Sequence, residues 1–140
     1  MKKLECSSKG DKRFSALYAM VSVNGVVNSI EKHYQSVKFK GEPCNPKRCK
    51  KGEHVEFIVI NNKILDVKYL TAFYKLLWIK YFINNKDLFE YAKGFDEFND
   101  MFKGKSINCQ ADVIKELVEK GMKAMFNDIE VQALIKILRA

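Results

Sequence analysis

Between Val67 and Ile83 the chain places Leu70, Phe73, Tyr74, Leu77, Trp78, Tyr81 and Phe82 at helical spacing. The pattern gives one helix with a broad apolar face. Only burial on several sides satisfies such a face, so the segment predicts a central helix in a packed core. Asp66 is placed to cap it and Asn84-Asn85 to end it. Lys75 and Lys80 interrupt it, and no apolar run reaches the ~20 residues a membrane span needs. A chain of 140 residues that is 47% hydrophobic is long enough for one domain with a real core.

The flanking segments set the fold class. Phe14 to Val23 is rich in strand formers, and Asn24-Gly25 is a hairpin signal leading into Val26-Val27. Asn28 is placed to cap a helix running to about Phe39, with Glu31 three residues on as in a capping box. Gly41 to Gly52 reads as a loop fixed by Pro43 and Pro46. Val55 to Ile60 suits a buried strand or the start of a helix, and Asn61-Asn62-Lys63 a turn. Asp87 is placed to cap Leu88 to Lys93, and Gly94 to stop it. Phe95 to Lys105 reads as an aromatic, acidic loop, followed by amphipathic helices over Ala111 to Phe126 and Asp128 to Leu138. The expectation is a single α+β domain over residues 1–140, mostly helical, with a few short strands near the N-terminus.

Charge is uneven. Residues 1–51 hold twelve Lys/Arg against four acids, and residues 52–140 thirteen against thirteen, so the net +8 sits in the first third. That asymmetry points to a polyanionic partner, nucleic acid or a phosphate-bearing ligand. The opening MKKLECSSKGDKR has no apolar stretch behind its lysines and does not read as a signal peptide; the expected compartment is the cytoplasm. There Cys6, Cys44, Cys49 and Cys109 read as free thiols. Cys44, Cys49 and His54 are spaced more widely than a zinc knuckle, so no metal is expected.

Glu31, Tyr34, Gln35 and Lys38 fall at i, i+3, i+4 and i+7, one face of a helix. These supply an acid, hydrogen-bonding groups and a cation within two turns, as many surface helices do, and cleavage at an anomeric carbon is one chemistry that uses such groups. A carboxylate stabilises the oxocarbenium-like state or activates water, and a donor neutralises the departing base.

The residues from Phe14 to Phe39 resemble the NADAR family, whose members read F-S-N-F-Y, a short hairpin, then T-V-E-H-Y-F-Q-A-Q-K-F. Phe14 and Ser15 match the F-S, and Glu31, Gln35, Lys38 and Phe39 fall in register with E-x-x-x-Q-x-x-K-F. Ala16 stands where the family has Asn, and His33 and Tyr34 are shifted one place from its H-Y. Leu77-Trp78-Ile79-Lys80-Tyr81-Phe82 with Asn85 and Leu88 is similar to L-x-x-K-F-x-Q-N-x-x-L. Asp100-x-Phe102-x-Gly104 is similar to D-x-x-W-G without the tryptophan.

The resemblance implies a NADAR-like fold and an N-glycosidase. Its substrate would be an ADP-ribosylated base, free or in nucleic acid, or a ribosyl-phosphate nucleotide, cleaved with no cofactor or metal. Glu31 would be the catalytic carboxylate. Arg13, Ser15, Tyr34, Gln35, Lys38 and Asp100 would bind substrate, and Trp78, Tyr81 or Phe95 would stack on the base. Lys12, Arg13, Lys38, Lys40 and the Lys47 to Lys51 segment would form a basic rim. Two other readings are a non-catalytic nucleotide- or nucleic-acid-binding module with the same fold, and a small basic protein that adapts a partner enzyme.

Overall fold

A computed structural model describes residues 2–50, 52–100 and 109–139 of the chain. It is an α+β domain with six α-helices and eight short strands among the described residues. No described helix is long and apolar enough to cross a membrane.

The first strand, β1 (Lys3–Glu5), pairs in parallel with a distant one, β8 (Glu97–Asn99). A 3-10 turn follows at Lys12–Phe14. Then comes the hairpin of β2 (Met20–Val23) and β3 (Val26–Ser29). Its turn is Asn24-Gly25, both at positive φ (53° and 80°), the geometry that matches strand twist and selects these two residues.

Helix α1 (Ile30–Ser36) starts at once from β3. Its cap is Ser29, whose hydroxyl accepts from Lys32 N at 3.1 Å, and not Asn28. Glu31 is therefore one place too early for the capping-box role, which leaves its carboxylate to other partners. The helix also ends three residues before the expected Phe39. Lys38 and Phe39 belong instead to β4 (Lys38–Glu42), because they pair with Ile58 and Phe57 of β6 (Phe57–Ile60).

Most of the expected 41–52 loop is strand as well. β5 (Asn45–Arg48) folds back on β4, and β7 (Lys63–Asp66) closes a four-stranded sheet of order β5-β4-β6-β7. The Val55 to Ile60 ambiguity resolves as strand. Seven of the eight strands lie within the first 66 residues.

Helix α2 (Tyr69–Ile83) is the centre of the core. Ten of its residues are buried, pointing in all directions around its axis, and Leu77 and Trp78 are fully inaccessible. Each such side chain contributes roughly 1.5–3 kcal/mol of burial. The helix starts two residues later than the Asp66 cap expected; Asp66 Oδ1 instead accepts from Lys68 N, at 2.8 Å.

α3 (Lys86–Ala92) begins after Asn85, with Asp87 inside its first turn rather than capping it. The expected helix over 111–126 is two, α4 (Gln110–Lys120) and α5 (Met122–Phe126). Gly121 separates them at φ 79°, ψ 152°, a conformation open to glycine and closed to a helix. Asp128, expected as the first residue of the last helix, instead caps α6 (Ile129–Arg139), its Oδ1 accepting from Glu130 N and Val131 N at 2.9 and 3.2 Å.

Candidate active site

The segment after the 3-10 turn and the start of α1 are built as one unit. Phe14 is buried, 6.1 Å from the rings of both Phe82 and Tyr91. Ser15 is buried too; its carbonyl accepts from Tyr18 N and Ala19 N, and its hydroxyl from Leu17 N. The resulting tight turn aims two further carbonyls at α1. Ala19 O accepts from Ile30 N at 2.8 Å, and Ala16 O from Glu31 N at 2.9 Å. A helix leaves its first amides without internal partners, and this loop supplies them. The two halves of the motif are thus hydrogen-bonded to each other, and the loop sets where Glu31 sits.

Glu31 is half-buried and its Oε1 accepts from Gln35 Nε2 at 2.7 Å, an i, i+4 contact. One turn along α1, the buried Tyr34 packs its ring 4.8 Å from that of Tyr74 on α2. The Lys38 ammonium lies 4.2 Å from the centre of the Tyr34 ring. Burial lowers the pKa of Lys38, while the nearby Glu31 carboxylate and the Cys49 thiol oppose that shift. The Tyr74 phenol is pushed far up, chiefly by burial, with Glu31 and Tyr34 adding to it.

Acid, cation and two phenols therefore share one poorly solvated neighbourhood, contributed by α1, β4 and α2. The Trp78 indole N–H is buried there without a hydrogen-bond partner among the described residues. It lies near enough to the Tyr74 hydroxyl to favour the phenolate without bonding geometry to it.

A further set of contacts reaches the same loop from α4. Gln110 Oε1 accepts from Ala16 N at 2.6 Å, and Gln110 Nε2 donates to Asp100 Oδ2 at 3.0 Å. Asp100 is buried, and Cys109 Sγ approaches its Oδ2 at 3.8 Å. One amide side chain thus links Asp100 to the residue whose carbonyl holds Glu31 N. Sequence reading missed Gln110 and Tyr74. The signal for Gln110 was the polar interruption Asn108-Cys109-Gln110 before an amphipathic helix. For Tyr74 it was a hydroxyl on the apolar face of α2, four residues before Trp78.

Other expected site residues go elsewhere. The Arg13 guanidinium is held by Asp11 at 3.0 and 2.7 Å and lies over Tyr91 at 4.9 Å. The Asp11 bond raises its pKa and lowers that of Asp11. Tyr81 donates its hydroxyl to Arg13 O at 2.7 Å, and Phe95 packs edge-on against Tyr91 at 5.2 Å. Arg13 and Phe95 thus gather around Tyr91, and Tyr81 is tied to the Arg13 backbone, rather than to Glu31. Trp78 has no exposed face for a base: it is fully inaccessible, with Tyr81 and Phe82 against its ring at 5.5 and 5.7 Å. The apolar spacing that marks α2 as core places Trp78 in it.

In the expected basic rim, Lys12 stacks on Tyr18 at 4.9 Å and Lys40 pairs with Glu53, while Lys47, Arg48 and Lys50 are exposed. Lys51, Phe102, Gly104 and the rest of the 101–108 segment lie outside the described residues.

A cavity of about 370 Å³ lies on the opposite face of α2, lined by Val23, Leu76, Ile79, Lys80, Ile83 and Leu138 among others. Glu31 does not line it. Among the described residues no three His, Cys, Asp or Glu side chains converge as metal ligands. No protein-family model matches the sequence, and no curated protein sequence matches it.

Proposed function

We propose that this protein is an N-glycosidase that hydrolyses the N-glycosidic bond of an ADP-ribosylated base or a ribosyl-phosphate nucleotide, with Glu31 as its catalytic carboxylate. The observation that carries the reading is the Glu31 neighbourhood. A half-buried carboxylate has one oxygen tied to Gln35 at 2.7 Å, and the Lys38 cation and the Tyr34–Tyr74 pair adjoin it.

The chemistry follows from that arrangement. With Oε1 held by Gln35, Oε2 is the oxygen left to meet an attacking water or the anomeric carbon, where positive charge develops only in the transition state. Reduced solvation strengthens that attraction. The Lys38 ammonium beside Tyr34 would donate a proton to a departing base or meet a phosphate as a cation. The resemblance to NADAR at Phe14, Ser15, Glu31, Gln35, Lys38 and Phe39 supplies the substrate class. The reading of a non-catalytic nucleotide-binding module draws support from the cavity, which lies away from Glu31.

The test is incubation with ADP-ribosylated guanosine and ADP-ribosylated DNA, read by mass spectrometry for released ADP-ribose. Glu31→Gln separates the readings. As a catalytic carboxylate its loss lowers turnover by about two to four orders of magnitude, roughly 3–5 kcal/mol of barrier, with folding nearly unchanged. Wild-type turnover in Glu31→Gln would remove the assignment.

A further inference from the structure

We infer that the β4–β5 hairpin is a nucleic-acid-binding arm that extends the Glu31 site along a phosphodiester backbone. The claim of a polymeric substrate rests on the glycosidase reading, whereas the binding surface stands on the hairpin alone.

The hairpin projects from the sheet: residues 41–48 are all exposed. Its register sets Lys40 directly opposite Lys47, and Phe39 opposite Arg48. Directly opposed like charges destabilise a strand pair. Glu53 reaches Lys40, but Lys47 and Arg48 have no carboxylate within ion-pair distance among the described residues. The repulsion is therefore only partly relieved within the protein, and a polyanion relieves the rest.

Placement gives the arm its direction. Side chains alternate along a strand, so Lys38, Lys40 and the cross-strand Lys47 share one face. Lys38 is the residue whose ammonium lies on Tyr34 beside Glu31. A row of cations thus leads outward from the site. Two residues of strand advance about 6.7 Å, close to the separation of successive phosphates in a nucleic-acid strand.

Two simpler explanations fall short. β5 is an edge strand, and charges with Pro46 discourage another sheet from adding there. That accounts for charge on β5 but not for Lys40 on the inner strand facing Lys47. A membrane surface is the other polyanion. The hairpin tip, Glu42-Pro43-Cys44-Asn45, carries an acid and no large apolar side chain to insert.

The experiment is fluorescence anisotropy of a short labelled single-stranded DNA against the full chain, over a salt series. K47E/R48E is compared with K86E/K123E, which makes the same change in net charge at exposed helical positions. The wild type should bind with affinity that falls steeply with salt. K47E/R48E should lose at least about tenfold and flatten the salt slope, and K86E/K123E should stay within about threefold. Circular dichroism verifies that both variants fold.

No salt-dependent binding by the wild type, or equal losses in the two variants, overturns the arm. So does binding to phosphatidylserine vesicles that the hairpin variant abolishes while DNA binding persists. Glu31→Gln should bind DNA like wild type. Hydrolysis of ADP-ribosylated guanosine without DNA binding would sink the arm and leave the glycosidase reading standing. DNA binding with no hydrolysis of either substrate would do the reverse.

Discussion

The two faces of α2 are made from the same apolar helix and do different work. One carries Tyr74, Trp78 and Tyr81 and engages other elements: the Tyr81 hydroxyl holds Arg13 O, and the Tyr74 ring packs on Tyr34 beside Glu31. The other carries Leu76, Ile79, Lys80 and Ile83 and lines a cavity of about 370 Å³. A cavity alone would have drawn attention to the second face. The chemistry-bearing groups stand along the first, where burial shifts the pKa values of Lys38 and Tyr74. Aromatic side chains with polar ends make this possible, since they fill a core while leaving a hydrogen-bonding handle at its margin.

The comparison predicts its largest stability difference within α2 itself. Trp78→Ala should cost about 3–5 kcal/mol, because an inaccessible ring leaves a void among Tyr81, Phe82 and Tyr74. Ile83→Ala on the cavity face should cost under about 1 kcal/mol, since Ile83 is 41% exposed. Urea unfolding followed by circular dichroism measures both; fluorescence will not serve, as Trp78 is the chain's single tryptophan. Similar losses in the two variants would break the distinction between the faces.

How far the sequence disclosed this arrangement depended on whether the cause was local. The apolar spacing of α2 is a property of consecutive residues, and its central burial was readable. So was the Asn24-Gly25 turn, whose backbone demands those residues. The end of α1 was not, because Lys38 and Phe39 leave the helix to pair with β6, a choice made by residues twenty positions on. β5 reads as loop because Asn45-Pro46-Lys47-Arg48 has little intrinsic strand preference; pairing with β4 overrides it. The parallel pairing of β1 with β8 sets Lys3 beside Glu97, far apart in sequence, and no local pattern connects them. At the candidate site, Glu31 and Gln35 were legible through their i, i+4 spacing. Tyr74 and Gln110 were not, since each arrives from another helix.

The Gln110 contacts give the next prediction, smaller in size and closer to the site. Gln110→Ala removes the acceptor for Ala16 N and the donor to the buried Asp100 at once. Leaving the buried Ala16 amide unmatched costs about 1–3 kcal/mol. The loss should also be directional. The Ala16 and Glu31 amides should exchange with solvent faster, while α6 amides stay protected. Gln110→Glu keeps an acceptor for Ala16 N but faces the Asp100 carboxylate, so it should recover only part of the stability. If Gln110→Ala left exchange at Ala16 and Glu31 unchanged, the link from α4 to the Glu31 loop would be structural coincidence.

The smallest effect lies at the other end of the first face, where Arg13 and Asp11 anchor the backbone that Tyr81 grips. Arg13 donates to the Asp11 carboxylate and holds its pKa below the ordinary 3.8, with slight burial opposing. A carboxyl whose pKa is lower in the folded chain contributes stability above its ordinary pKa. That contribution is lost as pH falls through the folded value. The arginine side chain is 52% exposed, so solvent screens the pair and the contribution should stay below about 1 kcal/mol. Wild type should therefore exceed Asp11→Asn in unfolding free energy by a few tenths at about pH 6. The difference should shrink toward zero near pH 2, and high salt should reduce it at either pH. The hydrogen bond from Arg13 N to Asp11 Oδ1, which caps the turn, cancels in this comparison. Asn keeps that acceptor, so a persistent gap would sink the ion-pair account of how this edge of α2 is held.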